Sequence, residues 1–141
     1  MKLHLNKRPG PDTLLIHSWA FGPAEGAGTD AAAPKGDECY RIRIADTWYQ
    51  QSLILTPRSV KLWDVRDVSA LAPAHFQQLA ELGAEVVILG VGKRAVFPEA
   101  ALTRSLVNRQ IGLEVMDTAA ACRTYNILAG DGRPAAAALI V

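Results

Sequence analysis

Three short apolar runs decide the fold: Glu85-Val-Val-Ile-Leu-Gly-Val-Gly92, residues 113–116 and residues 135–141. Their richness in Val, Ile, Leu and Ala is typical of buried strands. Helix-length segments separate them, which indicates parallel strands joined by crossover helices. The last run is expected to close the sheet. In such a sheet a ligand site forms most easily at the loops that follow the carboxyl ends of the strands.

The N-terminal half is predicted to be rich in β-structure. Residues 13–19 are β-branched and aromatic, which favours a first strand. Residues 40–44 alternate apolar and charged side chains, and residues 50–56 are interpreted as the return strand of an antiparallel hairpin. Residues 21–37 contain mostly Gly, Ala and Pro without any period, and are predicted to form a long flexible loop.

Helix boundaries are predicted from prolines, glycines and capping residues. Pro73 fits the first turn of a first helix, and Pro98 is expected to open a second one that stops at Gly112. Asp117 or Thr118 is the predicted N-cap of a third helix. The C-terminal half is therefore an α/β unit that follows a β-rich half.

Length and composition indicate one domain, residues 1–141, with residues 1–12 as an N-terminal extension. A formal net charge of +1 leaves no basic field for nucleic acid. The longest apolar run, residues 135–141, is far shorter than the ~20 residues that cross a bilayer, so no membrane insertion is expected. The first eleven residues lack the apolar core of a secretory signal, and a cytoplasmic location is predicted.

The turn Gly90-Val-Gly92-Lys-Arg-Ala95 matches the dinucleotide fingerprint, with Glu114 or Asp117 about twenty positions later. In that fingerprint the glycines open the helix directly, whereas here Pro98 places the helix start several residues later. A tight structural turn is the favoured interpretation, and no cofactor is predicted.

Cys122 is a candidate nucleophile because Arg123 follows it, and a cationic neighbour lowers a thiol pKa. The three alanines before it instead indicate a helix face packed against the sheet, so a structural role is favoured. Cys39 and Cys122 have no CxxC spacing and are expected to stay reduced, without a disulfide. The three scattered histidines predict no metal site, and no catalytic residue is assigned.

The loops after the two parallel strands are expected to converge at one edge of the sheet. Glycines there let a ligand approach the backbone, and the start of the third helix is expected to offer unpaired N–H groups. Lys93 and Arg94 either hold an anion or are solvated loop charges. The predicted ligand cleft consists of Gly90, Gly92, Lys93, Arg94, Asp117, Thr118 and Asn126.

Residues 85–92, 111–118 and 120–128 together resemble one family, and residues 49–57 with Trp63 fit the same pattern. It is the domain-of-unknown-function family that includes mitochondrial complex I assembly factor 3 and the adipogenesis-associated domain-containing protein. The chain departs from it at Val91, where the family usually has Thr, and in the length of the 21–37 loop.

The resemblance implies a three-layer α/β fold. A five-stranded mixed central sheet would carry helices on one side, and extra strands with a helix on the other. It implies no catalytic residues, and its best-described members act through protein partners during assembly of complex I. The expected function is therefore a non-enzymatic interaction or assembly-type protein. The alternative is a small-molecule or anion-binding protein, or an enzyme, with a site at the carboxyl ends of the central strands.

Overall fold

The computed structural model describes residues 12–24 and 38–141. Eight strands follow the chain as β1 Ile16–Pro23, β2 Glu38–Ile44, β3 Thr47–Tyr49, β4 Leu53–Thr56, β5 Ser59–Leu62, β6 Val86–Val91, β7 Gly112–Met116 and β8 Ala135–Ile140. The three α-helices are α1 Pro73–Ala80, α2 Arg104–Asn108 and α3 Thr118–Gly130, and 3₁₀ turns cover Val68–Ala70 and Ala100–Thr103.

The central sheet has five strands in the order β5-β4-β8-β6-β7. Strands β8, β6 and β7 are parallel, and β4 runs antiparallel to both β8 and β5, so the predicted mixed five-stranded sheet is confirmed. The expectation that the last strand closes the sheet is wrong, since β8 lies in its middle. All six residues of β8 are buried, because the sheet is covered on both faces.

Two separate apolar clusters show that the fold has three layers, as predicted. On one face, α1 and α2 bring Phe76, Leu79 and Leu106 against β6. On the other face, α3 and the small sheet β1-β2-β3 bring Tyr125 and Ile42 against the central strands. Both clusters contain side chains without solvent exposure, so each layer contributes its own core.

The predicted hairpin between residues 40–44 and 50–56 is wrong in its second strand. Strand β2 pairs with the short β3, through a turn in which Ala45 has a φ of 52°. Strand β4 belongs to the central sheet, and Leu53, Ile54 and Leu55 are all buried there. A strand buried on both faces cannot sit in a sheet that is exposed on one side.

The predicted limits of two other segments also differ from the structure. Strand β1 continues to Pro23, where a loop starting at residue 21 is expected from the sequence, and residues 25–37 lie outside the described part of the chain. Pro98 does not open a helix, since a 3₁₀ turn begins at Ala100 and α2 only at Arg104. Gln110, with a φ of 58°, ends this segment, and Gly112 begins β7.

In the described ranges, no helix combines the length and the apolar character that a membrane crossing needs. The two cysteines, Cys39 in β2 and the buried Cys122 in α3, are not joined by a disulfide.

Candidate functional site

The carboxyl ends of β6 and β7 lie side by side, as the parallel pattern predicts. Gly90 is in register with Met116, and the chain turns directly from β7 into α3. Asp117 is the N-cap of α3, and its carboxylate accepts a 2.8 Å hydrogen bond from the Ala120 N–H. The end of β6 and the start of α3 therefore form one junction.

Thr118 holds this junction together from inside the protein. Its side chain is completely buried, and its Oγ1 donates to the Ile140 carbonyl at 2.6 Å. The same oxygen accepts the Gly92 N–H at 2.8 Å, and the Thr118 N–H donates to the Gly92 carbonyl at 2.8 Å. One threonine thus ties the turn after β6, the start of α3 and the end of β8 to each other.

Gly90 is explained by the close approach of α3 to β6. A Cβ at this position would lie 3.0 Å from both the Thr118 Cα and the Ala121 Cβ. It would also lie 3.1 Å from the Leu139 Cδ2. Gly92 has a φ of 91°, which favours glycine for a different reason. Both glycines are thus accounted for by packing and turn geometry.

Three of the four backbone N–H groups in the first turn of α3 have protein acceptors, so the expectation that they are unpaired is wrong for these three. Thr118 donates to Gly92, and Ala120 and Ala121 donate to the side chain and the carbonyl of Asp117. The fourth, the Ala119 N–H, is close enough to the Tyr40 hydroxyl from β2 to oppose the rise in its pKa. An anion that used the Thr118, Ala120 or Ala121 N–H would have to displace one of these bonds.

Tyr40 reaches this junction from the small sheet, and sequence reasoning missed it. Burial, the nearby Asp117 and the Cys122 thiol raise the pKa of Tyr40, while the Ala119 N–H and Arg123 oppose the shift. Its ring also makes an edge contact with Phe21, with ring centroids 4.9 Å apart. The alternating pattern of β2 predicts a strand but does not indicate that Tyr40 contacts the start of α3.

The two predicted cations lie on the outer side of the junction. Lys93 and Arg94 are exposed, and the Lys93 ammonium lies 4.6 Å from the centroid of the Phe21 ring. Such a cation–π contact at the surface contributes about 0.5–1 kcal/mol. Lys93 therefore links the β6 turn to β1.

Asn126 does not join the other predicted cleft residues, because it lies about two helical turns further along α3. Its Oδ1 accepts the Ile16 N–H at 2.8 Å, and its Nδ2 donates to the Ile16 carbonyl at 2.7 Å. The neighbouring Tyr125 hydroxyl donates to the Leu14 carbonyl at 2.8 Å. Both side chains attach β1 and the residues before it to α3.

The structure thus brings Gly90, Gly92, Lys93, Arg94, Asp117 and Thr118 together, but Gly90 and Thr118 are buried. A ligand cleft at this edge stays a prediction. Its accessible surface is restricted to Gly92, Asp117 and the two cations.

Cys122 faces the core and is not placed as a nucleophile. Burial raises its pKa to about 12, and the lowering effect of Arg123 does not compensate. The Arg123 guanidinium lies 6.0 Å from the centroid of the Trp19 ring. The thiol is therefore protonated at neutral pH and packs as a small apolar group.

A second polar cluster surrounds the start of α1. The Asp64 Oδ1 lies 3.3 Å from the His75 Nε2, and the Ala72 N–H donates to the His75 Nδ1 at 3.0 Å. The Trp63 indole N–H donates to Gln78 at 3.2 Å. These contacts cap and anchor α1. Within residues 12–24 and 38–141, no group of three or more His, Cys, Asp or Glu side chains could hold a metal ion.

Comparison with known proteins places this fold and junction in a family. The bovine NADH dehydrogenase (ubiquinone) 1 alpha subcomplex assembly factor 3 is 35% identical over 88 residues, which are 61% of this chain and 48% of the bovine protein. The chain therefore spans about half the length of the curated relatives it matches.

Two solved structures cover more of the chain. A Xanthomonas campestris protein solved by NMR is 35% identical with a TM-score of 0.65, covering 89% of this chain and 86% of that one. A Bordetella pertussis protein described as an Mth938-like domain is 25% identical with a TM-score of 0.69, covering 99% and 92%. The family named from the sequence is thereby confirmed. Residues 38–140 match the description "Protein of unknown function (DUF498/DUF598)", and the chain belongs to this family.

Proposed function

We propose that this protein acts without catalysing a reaction, by binding other proteins in the manner of an assembly factor. The observation that carries the proposal is the similarity to relatives named as NADH dehydrogenase assembly factors, over 88 residues at 35% identity. The matched part includes about half of those relatives, so the shared domain is the unit to which a binding role is assigned.

The chemistry of the junction supports a binding role over a catalytic one. The Cys122 thiol is buried with a raised pKa, and Thr118 donates its hydroxyl proton to a backbone carbonyl. Neither side chain is exposed to a substrate. The most distinctive polar residues of the junction therefore hold the fold together.

Exposed apolar side chains are available to a protein partner on each side of the central sheet, with α2 on one side and α3 on the other. Phe97 is 73% exposed, and Val107 and Ile127 are 66% and 65% exposed. Aromatic side chains such as Phe97 are enriched at the centres of protein interfaces. The net charge of +1 supports partners other than nucleic acid. We place the protein in the cytoplasm, since its two cysteines are too few for the disulfide framework of a small secreted domain.

Affinity purification tests the proposal directly. The tagged chain, produced at native expression level in its own host, is expected to elute with a second protein in a stoichiometric ratio. The same tag on an unrelated protein of similar size is the control. Recovery of the chain alone would overturn the proposal.

A further inference from the structure

Strand β7 is one of the two edges of the central sheet. It pairs with β6 on one side, and no other described strand pairs with it. An edge strand presents a row of unpaired N–H and C=O groups, to which a second chain can add a strand. Five residues of β7 are available for such pairing.

The register with β6 determines which groups point outward. The Gly112 N–H donates to the Glu85 carbonyl at 2.9 Å, so Gly112 turns its backbone groups toward β6. Since backbone direction alternates along a parallel strand, Glu114 and Met116 do the same. Leu113 and Val115 therefore direct their N–H and C=O groups to the free edge.

The two faces of β7 differ in chemistry. Leu113 and Val115 are half-buried against the cluster under α1 and α2. Val107, on the helix that leads into β7, is 66% exposed. Glu114 is exposed and, by strand alternation, lies on the opposite face. A strand that pairs with β7 thus meets apolar side chains on one face and a carboxylate on the other.

The opposite edge strand, β5, is protected in a way that β7 is not. It has four residues, with the exposed Lys61 within it and Arg58 in the turn before it. Cations on a short edge strand are a common device against unwanted strand pairing. The edge formed by β7 carries the Glu114 carboxylate instead.

We propose that β7 is the docking edge for an extended segment of a partner protein, which adds to the central sheet as a sixth strand. The segment has apolar side chains on the face of Leu113 and Val115, and Lys or Arg on the face of Glu114. This inference rests on the proposed function and names the surface and the chemistry of the partner.

Charge favours a foreign segment over a second copy of this chain. Two copies that pair antiparallel through β7, in the register with the most paired residues, would set Glu114 opposite Glu114. Like charges directly opposite each other across a strand pair are destabilising. A segment with Lys or Arg at that position is stabilised instead.

The test uses the full chain and a capped eight-residue peptide of alternating Val and Lys. Hydrogen exchange followed by NMR is expected to show the Leu113 and Val115 amides slowed at least tenfold by saturating peptide. The amides of Val60 and Leu62 in β5 are expected to keep their rates. A peptide of alternating Val and Glu is the control and is expected to protect neither edge.

Three variants separate strand pairing at the β7 edge from non-specific binding of the peptide. Val115→Pro removes an outward N–H without breaking a hydrogen bond to β6, and is expected to weaken peptide binding at least tenfold. Leu62→Pro makes the same change at the β5 edge and is expected to change affinity less than twofold. Glu114→Lys, a surface change that does not touch the core, is expected to weaken the Val–Lys peptide about threefold and to favour the Val–Glu peptide.

Equal binding by wild type and Glu114→Lys, protection at β5, or no protection at all would overturn the inference. A dimer of the chain whose formation slows the Leu113 and Val115 amides would show a second copy as the occupant and also overturn it. If Val115→Pro does not fold, the peptide affinities of Glu114→Lys decide whether the inference holds. If wild type and Glu114→Lys recover a native partner equally well, the proposed function holds. The partner then binds at a surface other than β7, and the inference is wrong.

Discussion

The hydroxyl of Thr118 and the carbonyl of Ile140 form a buried 2.6 Å hydrogen bond that joins the start of α3 to the last strand. The two residues are 22 positions apart in sequence, and both are buried. Because the same hydroxyl oxygen accepts the Gly92 N–H, the bond also fixes the turn after β6. The junction is thus held by one side chain with two backbone partners.

Thr118→Val tests this role. The valine keeps the shape but leaves the Ile140 carbonyl and the Gly92 N–H without their partner, and each such buried group costs about 1–3 kcal/mol. The free energy of unfolding from urea titration is expected to fall by about 2–4 kcal/mol. Thr124→Val, on the same helix, removes a hydroxyl that contacts only the Met116 sulfur and should cost less than about 1 kcal/mol. Equal losses in the two variants would contradict this role.

Gly90→Ala tests the close contact between β6 and α3. The added methyl would lie 3.0 Å from the Thr118 Cα, and a backbone atom cannot rotate away. We expect a loss of about 1–3 kcal/mol in the free energy of unfolding, as for overpacked cores. Gly22→Ala is the matched control, because in the described ranges no atom outside its chain neighbours lies within 4 Å of the place its new methyl would occupy. It should change stability by less than about 0.5 kcal/mol. A neutral Gly90→Ala would show that α3 can move outward without cost.

Asn126→Ala tests the attachment of β1 to α3. The variant removes both hydrogen bonds to Ile16, whose N–H then loses its side-chain acceptor. The Ile16 amide is expected to exchange at least tenfold faster, and the free energy of unfolding should fall by about 1–3 kcal/mol. Asn108→Ala, at the exposed end of α2, is the control and should leave the Ile16 rate unchanged. Unchanged Ile16 exchange in Asn126→Ala would show that β1 is held by its sheet alone.

Local sequence pattern accounts for the central strands but not for the contacts that close the junction. Residues 86–89 are apolar without interruption, which is characteristic of a strand buried between helices, whereas residues 113–116 include the exposed Glu114 of an edge strand. Their parallel pairing follows from the helix-length segment between them. Residues 53–55 carry the same signal, yet the nearby alternating strand favours a hairpin interpretation. Thr118 and Asn126 bind backbone groups 22 and 110 positions away, and such partners leave no periodic trace in the sequence.

The ligand cleft at the ends of β6 and β7 gives a separate prediction. Since Thr118 and Gly90 are buried, a bound anion would contact Lys93 and Arg94 and the exposed part of the turn. Phosphate titration followed by NMR is expected to shift the Gly92 and Lys93 amides, and a variant with both cations changed to Ala should lose these shifts. Arg133→Ala, an exposed cation after α3, is the control. If phosphate causes no shifts, or if the shifts persist in the double variant, the prediction of an anion-binding cleft at this edge is wrong.

Because the Cys122 thiol is buried, the free energy of unfolding is expected to fall as the pH rises above 9. Its pKa is about 12 in the folded chain against 9.0 in the unfolded reference, because burial disfavours the thiolate. The stabilisation of the protonated thiol is fully present below pH 9 and is lost as the pH rises toward 12. The free energy of unfolding should therefore fall by up to about 1.4 kcal/mol per pH unit above pH 9. Urea titrations between pH 8 and 10 measure this slope, and the difference between wild type and Cys122→Ala separates it from Tyr40 and Tyr125, whose raised pKa values also lower stability as the pH nears 10.

Cys122→Ala is expected to flatten the slope between pH 9 and 10, whatever its effect on stability at pH 7. In the wild type, the thiol reagent DTNB at pH 8 should label Cys122 only as fast as the chain unfolds, because the thiol has no solvent exposure. Rapid labelling of Cys122 in the folded chain, or an equal slope in the variant, would show that the thiol reaches solvent. Cys39→Ala, at the half-buried cysteine of β2, isolates the Cys122 signal in both measurements.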